Sequence, residues 1–153
     1  MKREKTPEAA HTLLVMLKVL RAIRDFALPA VFQVGLGESD FRVLEVLLHK
    51  GPMPVNALGP KVDLNPGSIS VAVDRLYKKG LVSRQESESD RRVRIVSLTE
   101  KGRRVFVPIF LQHAALIKRA FQDVSPKEQR QMEEILKKIG RRAEKLGQQE
   151  GHR

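Results

Sequence analysis

The chain has 153 residues, with 29 Lys and Arg against 18 Asp and Glu and no cysteine. That length suits a single domain, residues 1–153, with a real core, and the net charge of +11 favours a polyanionic partner if it is not merely a solubility charge. Without cysteine there is no disulfide framework, thiolate metal site, cysteine nucleophile or redox switch. No apolar run approaches the ~18 residues that span a bilayer, and the start MKREKTPEAAHT does not lead into a cleavable signal, so a cytoplasmic protein without membrane contact is expected.

From Glu8 to about Val34 apolar residues recur at Leu13, Met16, Leu17, Leu20, Ile23, Ala27, Val31 and Val34, the stripe of a long amphipathic helix. Pro29 lies inside it and predicts a kink or split near Ala27 or Leu28. After Gly35 to Gly37, the positions Phe41, Leu44, Leu47 and Leu48 mark a second helix, stopped by His49, Lys50 and the turn pair Gly51-Pro52. The run Val55 to Val62 makes a short third helix.

The fourth helix has the clearest boundaries. Asn65 is a good N-cap, Pro66 suits the first helical position, and Gly80 is the expected left-handed stop after Lys78 and Lys79. Ile69, Ala72, Val73 and Leu76 fall on one narrow apolar face, while Gly67, Ser70, Val71, Asp74, Arg75 and Lys78 fall opposite. Two β-type runs follow, Leu81 to Glu86 and Val93 to Leu98, joined by SESD and an Arg-Arg pair as a hairpin. Thr99 caps a long helix from Glu100, apolar at Val105, Ile109, Leu116, Ile117 and Phe121, with a bend expected at Pro108. Ser125-Pro126-Lys127-Glu128 then forms a capping box for a last helix carrying Met132, Ile135, Leu136 and Ile139, with fraying expected from Gly147.

Three short helices followed by a hairpin predict a winged helix-turn-helix within a mostly α fold that has a small β-hairpin wing (α+β), the DNA-binding lobe spanning residues 38–99. Such a recognition helix sets its N-terminal residues against base edges in the major groove, where Pro66, Gly67 and Ser68 permit close approach and Ser70 can hydrogen-bond. With Val71 on the same face and Arg75 and Lys78 toward phosphate, these are the candidate DNA-binding residues of the helix. At the hairpin tip the candidates are Asp90, Arg91 and Arg92, an arginine entering a neighbouring minor groove while Asp90 holds the guanidinium in one orientation. Asp74 would repel phosphate and is expected to pair with Arg75, Lys78 or a wing arginine.

Enzyme signatures are missing from the sequence, including G-x-S-x-G, the P-loop, H-E-x-x-H and the Gly-rich dinucleotide turn. The four histidines, His11, His49, His113 and His152, lack a helical ligand spacing, so neither a metal nor a cofactor is expected, although His113 could line a ligand pocket. Phe26, Phe32 and Phe106 are candidates for a cleft or for the core. The rival readings are a nonspecific architectural DNA-binding protein and a winged-helix module for protein contacts.

The stretches VDRLYKKGLVSR and DRRVRIVSLTEKG resemble the MarR family of transcriptional regulators, in which a recognition helix, K-K-G-L, an acidic-x-Arg wing and L-T-x-x-G follow in this order and spacing. The resemblance covers nearly the whole chain and implies that Arg92 is the minor-groove residue and Arg91 the variable position beside it. It also implies a homodimer, held by helices in 8–34 and 100–146, that binds a double-stranded DNA operator, commonly as a repressor controlled by a small aromatic or phenolic effector. The surplus apolar stripe at both ends of the chain agrees with a second copy. The segment Leu64 to Gly102 looks especially like members that respond to quinones and phenolic compounds, yet no cysteine is available here for thiol-based sensing.

Overall fold

Pro29 divides the first long helix where its missing N–H and ring leave no room for an unbroken turn. In the computed structural model, which describes residues 8–87, 90 and 92–150, α1 covers Glu8–Ala27 and a single turn, α2, covers Pro29–Phe32. Leu28 is the break, and its carbonyl accepts from the N–H groups of Val31 and Phe32. The helix α3 (Glu38–Lys50) begins where Asp40 Oδ2 accepts from the Gly37 N–H at 3.0 Å and ends at Gly51. Next come α4 (Val55–Lys61) and α5 (Pro66–Lys78), the two helices of the helix-turn-helix.

The end of α5 explains where the hairpin starts. Gly80 takes φ +70°, its N–H reaches the Tyr77 carbonyl at 2.8 Å, and the Leu81 N–H reaches Leu76 at 3.0 Å. This is the Schellman arrangement, which spends the Leu81 N–H on closing the helix rather than on a strand ladder. The strand β2 therefore covers Val82–Glu86, one residue later than the apolar run suggests. It pairs antiparallel with β3 (Arg94–Leu98), Arg84 opposite Val96 and Glu86 opposite Arg94. A third strand, β1 (Met53–Pro54), pairs with the other edge of β3, Met53 opposite Val96, giving the order β1-β3-β2. Two residues beside a proline carry no alternation to read, and so the sequence gives no sign of β1.

The helix α6 (Glu100–Ala120) starts under a cap in which Thr99 Oγ1 accepts from the Gly102 N–H at 2.9 Å. A Cβ at position 102 would collide with the Leu81 carbonyl, so the glycine of L-T-x-x-G lets α6 lie against the start of the hairpin. The helix continues through Pro108 without interruption. The last helix, α7 (Pro126–Glu150), runs past Gly147, where fraying was the expectation; one glycine lowers helix stability by only about 1 kcal/mol.

The chain divides into two compact units, residues 1–117 and 118–153. The first contains the core, where Val43, Leu44 and Leu47 of α3, Leu58 of α4, Ile69, Val73 and Leu76 of α5, Val82 and Val96 of the sheet and Phe106 of α6 pack together. Phe41 meets Phe106 edge to face at 5.2 Å between centroids. The second unit contains α7, none of whose residues is buried. No helix among the described residues is long and apolar enough to cross a membrane.

Candidate nucleic-acid interface

The face that α5 turns away from the core is presented by a cap and a proline. Asn65 Oδ1 accepts from the Ser68 N–H at 2.8 Å, and Pro66 occupies the first turn, where an N–H would have had no partner. Ile69, Ala72, Val73 and Leu76 are buried, as their spacing predicts. Pro66, Gly67, Ser70, Val71, Asp74 and Lys78 are exposed, Val71 by 58%. At Gly67 an added Cβ would meet only Asn65 Oδ1, at an ordinary 3.5 Å, so the fold itself does not demand glycine there. What glycine provides is room for a partner to approach the backbone. Ser70 donates its hydroxyl to the Pro66 carbonyl at 2.9 Å, leaving the oxygen lone pairs to accept from outside.

Two consecutive residues tie this helix in different directions. Asp74 pairs with Arg84 of β2, so the expected partner from the wing is found, and the Arg84 guanidinium also lies 5.0 Å from the centroid of the Tyr77 ring. Arg75, read from the sequence as facing phosphate, instead turns its fork into α3. Its Nε lies 3.0 Å and its Nη2 2.7 Å from Asp40 Oδ1, and Nη2 is also 3.1 Å from Ser39 Oγ. Donation to the Asp40 carboxylate holds the Arg75 guanidinium above its ordinary pKa, against the opposing effect of partial burial.

At the wing tip Asp90 acts on backbone. Its Oδ1 accepts from the Arg92 N–H at 2.9 Å and its carbonyl accepts from the Val93 N–H at 2.9 Å, so the carboxylate shapes the turn that presents Arg92, where the sequence suggested a grip on the guanidinium. Arg92 is exposed; Arg91 lies outside the described residues. Arg94 pairs with Glu86 across the ladder at 3.1 Å.

A groove of about 760 Å³ runs between the α4–α5 turn, α5 and the wing, lined by Asn56, Asn65, Pro66, Ser70, Asp74, Arg84, Arg92 and Arg94 among others. Of the residues read from the sequence, it brings together Pro66, Ser70 and Arg92. Lys78 and Val71 are exposed elsewhere on α5, and Arg75 is turned toward α3. As lining of this groove, Arg84 and Arg94 are residues that sequence reasoning missed. The signal for Arg84 was strand alternation, which places it on the same face as buried Val82 and hence toward α5.

A second cleft, of about 490 Å³, lies between α1, α3 and α6 and is lined by Leu17, Leu20, Arg24, Glu38, Phe41, Arg42 and His113 among others. The His113 ring lies 4.6 Å from that of Phe41, and its Nδ1 is 3.4 Å from the Ala27 carbonyl. Phe106 belongs to the core, whereas Phe26 and Phe32 are largely exposed.

Comparison with known proteins agrees with this geometry. The model of the MarR family matches residues 36–93, from the start of α3 to the wing tip. The chain is 36% identical over 141 residues to the HTH-type transcriptional regulator MhqR of Bacillus subtilis (strain 168), which covers 92% of this chain and 97% of that protein. Its fold is similar to that of AbsC, a MarR family transcriptional regulator from Streptomyces coelicolor, at a TM-score of 0.81 and 24% identity over 94% of this chain and 99% of that one. It is also similar in fold to Bordetella bronchiseptica BpsR, whose DNA binding is regulated by 6-hydroxynicotinic acid, at a TM-score of 0.77 and 16% identity over 90% of this chain and 98% of that one. With a helix-turn-helix, a wing and this similarity along nearly its whole length, the chain belongs to the MarR family and is a DNA-binding transcriptional regulator, not an enzyme.

Proposed function

We propose that the protein acts as a homodimeric repressor that binds a specific double-stranded operator, the N-terminal half of α5 in the major groove and Arg92 in the adjacent minor groove. The observation that carries this reading is the groove shared by Ser70, Asn65, Arg92 and Arg94, which joins the helix N-terminus to the wing as one surface. Two copies supply two half-sites about one helical turn, ~34 Å, apart. The test is to recover the DNA that the protein retains from its own genome and compare affinity for that site with random duplex. A preference of about 10³ or more supports a regulator, and near-equal affinity supports the architectural alternative.

A small aromatic or phenolic molecule in the cleft between α1, α3 and α6 is the proposed effector. BpsR offers the precedent of control by an aromatic acid. Here the cleft places the aromatic rings of Phe41 and His113 beside the cations Arg24 and Arg42. The first two turns of α3 serve both sites: Glu38, Phe41 and Arg42 line the cleft, and Ser39 and Asp40 hold Arg75 of α5. Release requires only that the ligand prefer the DNA-incompetent state. Salicylate and a panel of phenols, assayed for a raised Tm and weakened operator binding, test it; no effect from any of them removes the effector from the proposal.

A further inference from the structure

We infer that Asp40 and Arg75 form a positioning pair that fixes how α5 is presented to DNA, so that Arg75 acts through the orientation of the helix and not by gripping phosphate. The inference rests on reading α5 as the DNA-facing helix. Asp40 is 1% exposed and is the one charged residue that is buried among the described residues. Its carboxylate accepts from the Gly37 N–H at 3.0 Å on one side and from the Arg75 fork on the other. Were Arg75 to swing out to a phosphate, that buried charge would keep only Gly37, an expensive loss in a low-dielectric surrounding. Three donors of the guanidinium are already engaged, two by Asp40 and one by Ser39 Oγ.

Stability alone does not account for such a pair, because an apolar contact of the same size commonly serves as well. What a fork on a carboxylate adds is direction, since it is satisfied at one angle and one register. The pair joins the first turn of α3 to the third turn of α5, about 100° around α5 from its tie through Asp74 to Arg84. Loosening it leaves α5 folded, held by Ile69, Val73 and Leu76, but free to rock on the core.

The full-length protein and the duplex that it enriches from a randomised library provide the test, with affinity measured at several salt concentrations and folding followed by circular dichroism. Arg75→Lys keeps the charge and loses the fork; it is expected to weaken binding about tenfold with the slope of log K against log salt unchanged. Asp40→Asn is expected to match it, and the double variant to lose no more than the larger single loss. A phosphate contact predicts the reverse, Arg75→Lys within twofold of the parent and Arg75→Ala with a slope lower by about one unit; either result overturns the inference. So does a lowered Tm in Asp40→Asn with unchanged affinity of the folded protein, the signature of a purely structural role. Should Asp40→Asn fail to fold, Ser39→Ala removes one acceptor of the Nη2 donor and is expected to cost about threefold; unchanged affinity counts against the pair. Ser70→Asp separates this inference from the reading beneath it. Unaltered binding by that variant means that α5 does not face DNA, whereas its failure to bind beside a normal Arg75→Lys removes the positioning pair alone.

Discussion

Helices α5 and α7 carry the same kind of sequence signal and meet different fates. In α5 the apolar positions Ile69, Ala72, Val73 and Leu76 are all buried by the chain's own core. In α7, nearly twice as long, Met132, Ile135, Leu136, Ile139 and Leu146 are all exposed, Ile135 by 59%. Periodicity reports that a helix has an apolar face; it does not report what covers the face. A helix that buries its stripe within the chain draws stability from it at any concentration. One that exposes five large apolar side chains in a row along 25 residues presents the kind of patch that a partner covers.

The sharpest way to break the comparison is to charge both faces. Ile135→Asp with Ile139→Asp should leave the first unit folded and convert the proposed dimer to a monomer in analytical ultracentrifugation. Operator affinity should fall by roughly 100-fold or more, because two linked half-sites become one. A variant that still sediments and binds as the parent would show that the stripe is not the closure of the dimer. On α5 the corresponding change, Leu76→Ala, should act on folding: it empties a fully buried site and should cost about 2–5 kcal/mol by denaturant titration, without dependence on protein concentration beyond that of the parent.

The difference between the helices also marks what was legible in the sequence. Asn65, Pro66 and Gly80 bounded α5 to the residue because caps are local chemistry, each satisfied within a few positions. The split at Pro29 and the box at Ser125 were legible for the same reason. What escaped were contacts between elements. The angle of Arg75 on the helical wheel points it toward phosphate, but its partner Asp40 lies 35 residues away and nothing local links them. The sequence sets Asp90 beside a guanidinium, whereas its carboxylate accepts from the nearer backbone N–H of Arg92, a short-range turn bond that Asp forms readily.

A smaller effect tests whether the wing adds to what α5 provides. Arg92→Ala should cost about 1–3 kcal/mol on the preferred site and reduce the preference for A·T-rich flanks, leaving the Tm unchanged because the side chain is exposed. Lys78→Ala, on the exposed face of α5, should weaken all duplexes alike and lower the salt slope by about one unit. Equal losses from Arg92→Ala on preferred and scrambled duplex would reduce the wing to a phosphate contact and leave specificity to α5 alone.

The smallest expected effect concerns how α7 begins. Ser125 and Glu128 cap each other: Glu128 Oε2 accepts from the Ser125 hydroxyl at 2.6 Å and from its N–H at 2.8 Å, and Ser125 Oγ accepts from the Glu128 N–H at 3.3 Å. The hydroxyl first and the backbone N–H second hold the Glu128 carboxyl below its ordinary value of 4.5. Because the folded carboxyl is the stronger acid, its contribution to the helix start is present above about pH 4.5 and is lost as the pH falls through the lowered value. A carboxyl titration followed by NMR should therefore place the Glu128 midpoint below 4.5 and return it toward 4.5 in Ser125→Ala. Glu128→Gln, which keeps an acceptor without the charge, should remove the pH dependence while retaining the box. The cap is fully local, so these outcomes should be the same in the parent and in the Ile135→Asp, Ile139→Asp protein. A midpoint that shifts when the stripe is charged would mean that the start of α7, too, is organised by what covers its apolar face.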